Sequence, residues 1–506
     1  MINFCITNRD ELVKGQWTYK KNLSHNVCLH YDSGVEIIET STHLIAFCGI
    51  LWEGKVTDFL KDVKQNGNYY AIVLDKVSGE LKAITDFSNS FGLTYYAPDS
   101  NFVITNEIKV YGPSFKVNQQ WINWCKKGVE LTAPVEPHPN LHSSSPFCNI
   151  VRENHTPIID VKLLKGGDTL TLESWDDFDC RPTITNWYKD YLKDITQVPE
   201  RPKHNYNSAL LTVKNVISEN CRLVKEKYGD KLIFCGSTGV DSLTLKSYLG
   251  DTPMYGWDEG YDTSLFVNCI TPTSELLDNI INQYPYKCEN LHLYNFLQLM
   301  IRYMIDKNKL NNRVVVLGGY ADTIFWHTRS TVMWLAVHRW GMTTGEQVWN
   351  KCLRYYGFED PGFKLGFFNM QYKQDCIDEI NKYILHEAPG NNFETEKIKE
   401  ITYWLNSSFR QWLPNQLIVY PYRDLRLFGV LLSSDKQTQE ASILDAQIQK
   451  DIISDKLLPY LNQYKTHMHV SYEHYNGCCL NHDHHKHRSN RKIIIDSIIK
   501  NLQAST

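Results

Sequence analysis

The sequence predicts an α+β region followed by an α/β region, and three observations carry that expectation. Residues 1 to about 180 read as short β-rich runs between polar or glycine-containing turns, a layered domain with few long helices. Lys231-Leu-Ile-Phe-Cys235 is an apolar run suited to a buried parallel strand, and Gly236-Ser-Thr-Gly239 turns the chain into a helix from Val240. Arg313-Val-Val-Val-Leu-Gly-Gly319 repeats that layout, with a helix near Ala321.

A length of 506 residues suits two or three domains. Hydrophobic residues at 42% and charged residues at 22% exclude a disordered chain. A net charge of −4 gives no drive toward nucleic acid or anionic membrane, so neither is expected as a partner. No stretch approaches the apolar length of a membrane span. Met1-Ile-Asn-Phe-Cys-Ile-Thr-Asn-Arg-Asp10 reaches charge too soon for a signal peptide. The 14 cysteines lack a framework spacing, so reduced thiols and a cytoplasmic location are expected.

In chain order, Val35–Thr40, His43–Cys48, Tyr69–Leu74 and Phe102–Thr105 are the clearest strands, with Lys76–Gly79 a turn between two of them. Asn205–Gly229 is helical, its stripe of Leu210, Val213, Ile217, Cys221 and Val224 packing a core. Ser274–Tyr284 and Tyr294–Asp306 are further helices. Trp334, Trp340 and Trp349 lie at helical spacings, an aromatic stripe read as packing. From His467 to His487, seven histidines crowd with Cys478 and Cys479. Such ligands suit Zn²⁺ or Cu⁺, yet the spacing fits no standard four-ligand finger, and a solvated linker before a short helix is the favoured reading.

A strand, a small-residue turn and a helix N-terminus together make an anion site, because backbone N–H groups and the helix dipole face whatever lies over the turn. Ser237-Thr-Gly-Val-Asp-Ser242 is not a Walker loop, since no lysine follows a second glycine. It resembles the Ser-Gly-Gly-x-Asp-Ser loop of the PP-loop ATP pyrophosphatases. That resemblance implies that Ser237, Thr238, Gly239 and Ser242 orient ATP phosphates while Asp241 recruits Mg²⁺. Thr238 stands in place of a glycine, and an altered turn is expected there because a β-branched residue tolerates positive φ poorly. A plain strand–turn–helix is the alternative.

Wider landmarks follow in one order. Gly67-Asn-Tyr-Tyr-Ala-Ile-Val-Leu-Asp75, Ser78–Asp86, Phe91–Tyr96, Thr105–Lys109 and Ile158–Asp168 resemble the glutamine amidotransferase domain of the asparagine synthetase family, and Trp187-Tyr188 its following linker. The family's glutaminase uses a cysteine exposed as residue two. Here that residue is Ile2, and Cys5 cannot supply its own α-amine, so glutamine hydrolysis is not expected. Cys48-Gly-Ile-Leu-Trp-Glu53 replaces the family's glutamine-binding strand, and Asp86 matches a position that binds the glutamine amine.

In the second region, Gly318-Gly-Tyr-Ala-Asp-Thr323 resembles the family's Gly-Glu-Gly-Ala-Asp-Glu motif. This implies that Gly318 lies at the nucleotide and Asp322 holds Mg²⁺; the competing reading of Asp322 is a first-turn acid on its helix. Gly319 and Thr323 stand where the family has acids. Pro421-Tyr-Arg-Asp-Leu-Arg-Leu-Phe428 resembles its Pro-Phe-x-Asp-x-Arg-Leu segment, implying Arg423 and Arg426 as substrate ligands; a surface arginine paired with Asp424 is the equal alternative. Lys436 stands in for the family's lysine.

The resemblance implies an N-terminal nucleophile (Ntn)-type amidotransferase-like β-sandwich, degenerate and spanning 1–185. A doubly wound PP-loop ATP pyrophosphatase domain, adenine nucleotide α-hydrolase-like, would span 200–462, and a His/Cys-rich tail with a short helix 463–506. The implied function is ATP- and Mg²⁺-dependent activation of a small-molecule or peptide carboxylate as acyl-AMP, then attack by ammonia or a substrate amine. Asp241, Asp322 and Lys436 would be catalytic, with Asp241 and Asp322 on the metal. β-Lactam synthetases and lasso-peptide cyclases likewise resemble this family without a working glutaminase. A catalytically silent homologue serving as a binding or structural protein is the alternative, and a tRNA-acting PP-loop enzyme a weaker one. Assembly into a homo-oligomer is left open.

Overall fold

A computed structural model of the chain describes residues 3–13, 15, 17–98, 101–107, 110–111, 115–119, 156, 158–173, 182–188, 191, 204–257, 262–270, 276, 296–319, 321–325, 340–347, 381 and 416–461. The first part holds β1 (Phe4–Thr7), β2 (Tyr19–Asn22), β3 (Cys28–Tyr31), β4 (Glu36–Glu39), β5 (His43–Leu51) and β6 (Gly67–Asp75). It continues with β7 (Leu81–Thr85), β8 (Thr94–Tyr96), β9 (Val103–Thr105), β10 (Val161–Leu163), β11 (Asp168–Leu172) and β12 (Thr183–Asn186).

These strands form two six-stranded sheets in the orders β10-β8-β9-β1-β3-β2 and β12-β11-β7-β6-β5-β4. Every pairing in both is antiparallel. Phe4, Ile6 and Leu29 of one sheet share a core with Leu44, Ala46, Tyr70, Ile72 and Leu170 of the other. The Phe4 and Tyr70 rings stack at 4.4 Å, so the sheets pack face to face. The opposite face of β5 and β6 is also covered, with Ile45, Phe47, Tyr69 and Ala71 packed against Phe59. Burial on both faces explains why these two strands read as continuous apolar runs rather than alternating ones.

The second part holds α1 (Tyr206–Tyr228), β13 (Leu232–Cys235), α2 (Val240–Leu249), β14 (Met254–Trp257), β15 (Asn268–Ile270) and α3 (Phe296–Lys307). Then come β16 (Val314–Leu317), α4 (Ala321–Ile324), β17 (Ile418–Val419), α5 (Leu425–Leu432), α6 (Lys436–Asp445) and α7 (Gln447–Lys450). Asn205 caps α1 by accepting from the Ser208 amide at 3.0 Å, and Gly229 ends it at φ +49°. The five strands form one parallel sheet in the order β15-β14-β13-β16-β17. From β13 the chain adds strands on one side, then returns to add β16 and β17 on the other. The C-terminal ends of β13 and β16 therefore lie side by side where the strand order reverses, the place where open α/β sheets gather ligands.

The two parts share a core. Ile50, Trp52, Phe87, Trp187 and Tyr188 cluster with α1 and with the strands of the parallel sheet. Polar contacts reinforce this: Trp52 Nε1 donates to the Arg423 carbonyl at 2.6 Å, Tyr228 Oη to the Gly49 carbonyl at 2.9 Å, and the Tyr420 amide to Asn68 Oδ1 at 2.8 Å.

Among the described residues no helix is long and apolar enough to cross a membrane. Trp340 packs against the shared core, as the stripe reading expects. Trp334, Trp349, most of Ser274–Tyr284 and the whole His/Cys-rich tail lie outside the described residues.

Candidate functional site

The loop after β13 is held by its own serines. Ser242 Oγ, in the first turn of α2, folds back to accept from the Ser237 amide at 3.0 Å. Ser237 Oγ accepts from the Gly239 amide at 3.1 Å. Only glycine fits at 236, because a Cβ there would come within 2.9 Å of Ser242 Oγ. Thr238 is buried without a positive φ, and Gly239 beside it is extended at φ −70° and ψ 159°. A β-branched residue adopts such a backbone freely.

Asp241 is the second residue of α2 and only 8% exposed. Its Oδ1 accepts from Gln449 Nε2 at 2.5 Å, and its backbone carbonyl accepts from Tyr422 Oη at 2.8 Å. Burial, with the Asp241 charge beside it, pushes the Tyr422 phenol well above its ordinary value and keeps it a donor. Gly318, at the end of β16, lies against the same turn, since a Cβ on it would contact Asp241 Cβ at 3.8 Å and the Ser242 amide nitrogen at 3.7 Å. One carboxylate and two hydroxyls at a helix N-terminus are hard oxygen donors of the type that Mg²⁺ takes, so the residues present fit Mg²⁺ bound together with a phosphate chain.

Other expected site residues fall elsewhere. Asp322 lies in α4, one residue after buried Ala321, but its side chain is outside the described set. Lys436 is the exposed first residue of α6, outside the contacts that join the loop.

Arg423 is a correction to the substrate-ligand expectation. It is fully buried, and its Nη1 donates to Ser88 Oγ at 3.0 Å and to Ser90 Oγ, with the guanidinium 3.9 Å over the Tyr420 ring. A substrate cannot reach a side chain enclosed this way. Arg426 takes the alternative considered for it, an ion pair with Asp424 at 2.7 Å, and it also donates to Glu219 at 2.7 Å and Asn220 at 3.1 Å.

In the first part, Asp86 is fully buried and builds a turn. It accepts from the amides of Tyr69, Ser88 and Ser90 at 3.0, 2.8 and 3.1 Å. Its carboxylate orders the loop whose serines receive Arg423, a structural duty rather than amine binding. Cys5 is fully buried, and burial foremost holds its thiol well above the ordinary value, which leaves it inert as a nucleophile. Met1 and Ile2 lie outside the described residues.

Sequence reasoning missed Gln449 and Tyr422, both of which hold Asp241. No local pattern marks Gln449, 208 residues away in the chain. Tyr422 lies inside the Pro421–Phe428 segment, but its hydroxyl partner is 181 residues away in the chain. No protein-family model matches the chain, and no curated protein matches it in sequence.

Proposed function

We propose that the chain is an ATP-dependent ligase of the asparagine synthetase type, which activates a carboxylate as acyl-AMP and releases pyrophosphate before an amine attacks. One observation supports it most: a Ser/Thr/Gly loop with a buried Asp241 lies where the parallel strand order reverses, with Gly318 of the neighbouring strand against it. In this reading Asp241 holds Mg²⁺, which neutralises the triphosphate and the leaving pyrophosphate. Ser237, Thr238 and Ser242 orient phosphate oxygens, and Gln449 fixes the Asp241 rotamer. The first part serves as a scaffold with no glutaminase activity, consistent with Asp86 being consumed in a turn. The amine therefore comes from solution or from the substrate itself.

The burial of Arg423 favours a second reading, in which the fold is retained for binding or structure and the substrate half-site is lost. Calorimetry of Mg–ATP binding to the native chain and to Asp241→Asn separates the two. The ligase reading expects binding to the native chain and at least about tenfold weaker binding, or about 1.4 kcal/mol, in the variant. A carboxylate screen for AMP and pyrophosphate release would follow. Absence of Mg–ATP binding by folded protein overturns it.

A further inference from the structure

On the outer face of the first sheet, three side chains of different chemistry converge. Cys28 and His30 are two residues apart on β3 and so share a face, the one opposite to buried Leu29. Asp10 comes over them from a short 3₁₀ turn, Asp10–Leu12. His30 Nε2 lies 2.6 Å from Asp10 Oδ1 and 3.5 Å from Cys28 Sγ. The ligand atoms of all three fall within 4.8 Å of one another.

A cysteine–histidine–aspartate catalytic triad does not fit this arrangement. A triad needs the carboxylate on one ring nitrogen and the nucleophile on the other. Here the same Nε2 faces both. Three donor atoms of these types within 4.8 Å of one another instead suit a coordination site.

We propose that Asp10, Cys28 and His30 bind one Zn²⁺, with a solvent molecule as fourth ligand. Thiolate and imidazole ligands of a tetrahedral Zn²⁺, at about 2.3 and about 2.0 Å, stand about 3.5 Å apart. Cys28 and His30 already have that separation. An imidazole and a carboxylate on the same ion stand about 3.3 Å apart, so Asp10 must withdraw by about 0.7 Å. It can do so because its side chain is 47% exposed on a short turn. Lys20 holds the other Asp10 oxygen at 2.5 Å, which orients the carboxylate as an outer hydrogen bond does in metal sites. Thiolate, carboxylate and neutral imidazole balance the double charge of the ion, so the ion with its three ligands is neutral in a nearly buried site, with Cys28 6% and His30 7% exposed. The exposed side of Asp10 gives the ion and its solvent ligand a way in.

The His/Cys-rich tail carries metal-ligand residue types of its own, so the test removes its thiols. The 506-residue chain carrying Cys478→Ser and Cys479→Ser is freed of metal with a chelator and titrated with Co²⁺, then Zn²⁺. The proposal expects a thiolate-to-cobalt charge-transfer band and tetrahedral ligand-field bands that saturate at about one equivalent and vanish on adding Zn²⁺. It expects the band to be lost when Cys28→Ser is added, and weakened at least about tenfold in cobalt affinity by Asp10→Asn. Zn²⁺ should raise the melting temperature of the tail variant and leave that of the Cys28→Ser chain unchanged. A titration with no thiolate band, or a band that survives Cys28→Ser in folded protein, overturns the proposal and leaves the three residues a hydrogen-bonded cluster.

Discussion

Gln449 Nε2 donates to Asp241 Oδ1 at 2.5 Å, joining α7 to the first turn of α2 across 208 residues of chain. Both side chains are buried, so the bond is made between groups that have left water. Gln449→Leu keeps similar volume and deletes the donor from a buried carboxylate. A loss of about 1.5–3 kcal/mol is expected in urea unfolding. In the ligase reading Mg–ATP affinity falls as well, because the Asp241 rotamer is no longer held; unchanged stability would mean the bond is not formed in solution.

Arg423 is a fully buried cation in the interface between the two parts. Its Nη1 reaches Ser88 and Ser90 of a loop that Asp86 organises. Ser90→Ala should cost about 1.5–3 kcal/mol and Arg423→Met a comparable amount, with the double variant costing less than the sum. A double-mutant cycle by denaturation checks the coupling, and strict additivity would show that the two side chains do not act on one another.

Glu39 reports on acid sensitivity. Its carboxyl is held down to about 2, from an ordinary 4.5, by hydrogen bonds from Lys21 and Lys76. A depressed folded value means that the stabilisation is present above about 4.5 and is lost as pH falls toward about 2. Glu39→Gln should therefore flatten the fall of stability between those pH values and have its largest effect near neutrality. Because Glu39 is exposed in both ion pairs, high salt should shrink the difference. Melts at several pH and salt values decide this.

Burial pushes the Cys48 and Cys221 thiols to about 12. At pH 8 both stay neutral and enclosed, so iodoacetamide should leave them unmodified in native protein while half-buried Cys269 reacts. Peptide mass spectrometry before and after denaturation reads the result. Labelling of Cys221 in the native chain would mean that α1 opens away from its core.

Local sequence determined the elements whose chemistry is local. The apolar run at Leu232–Cys235, the glycine that lets Ser242 fold back at Gly236, and the cap pair Asn205 and Gly229 are each specified by a few adjacent residues. The β-rich layering of the first part was legible for the same reason, since β-rich runs and the turn residues between them act at short range. Tertiary structure alone decided what the polar side chains do. Arg423 looked like a substrate ligand because an arginine beside an aspartate is ambiguous in sequence, and only packing against Ser88 and Ser90 enclosed it. Asn220 sits on the buried stripe of α1 because Asp424, 204 residues on, accepts its amide at 2.9 Å. Burying a polar group is costly unless a partner is built in, and that partner can come from anywhere in the chain.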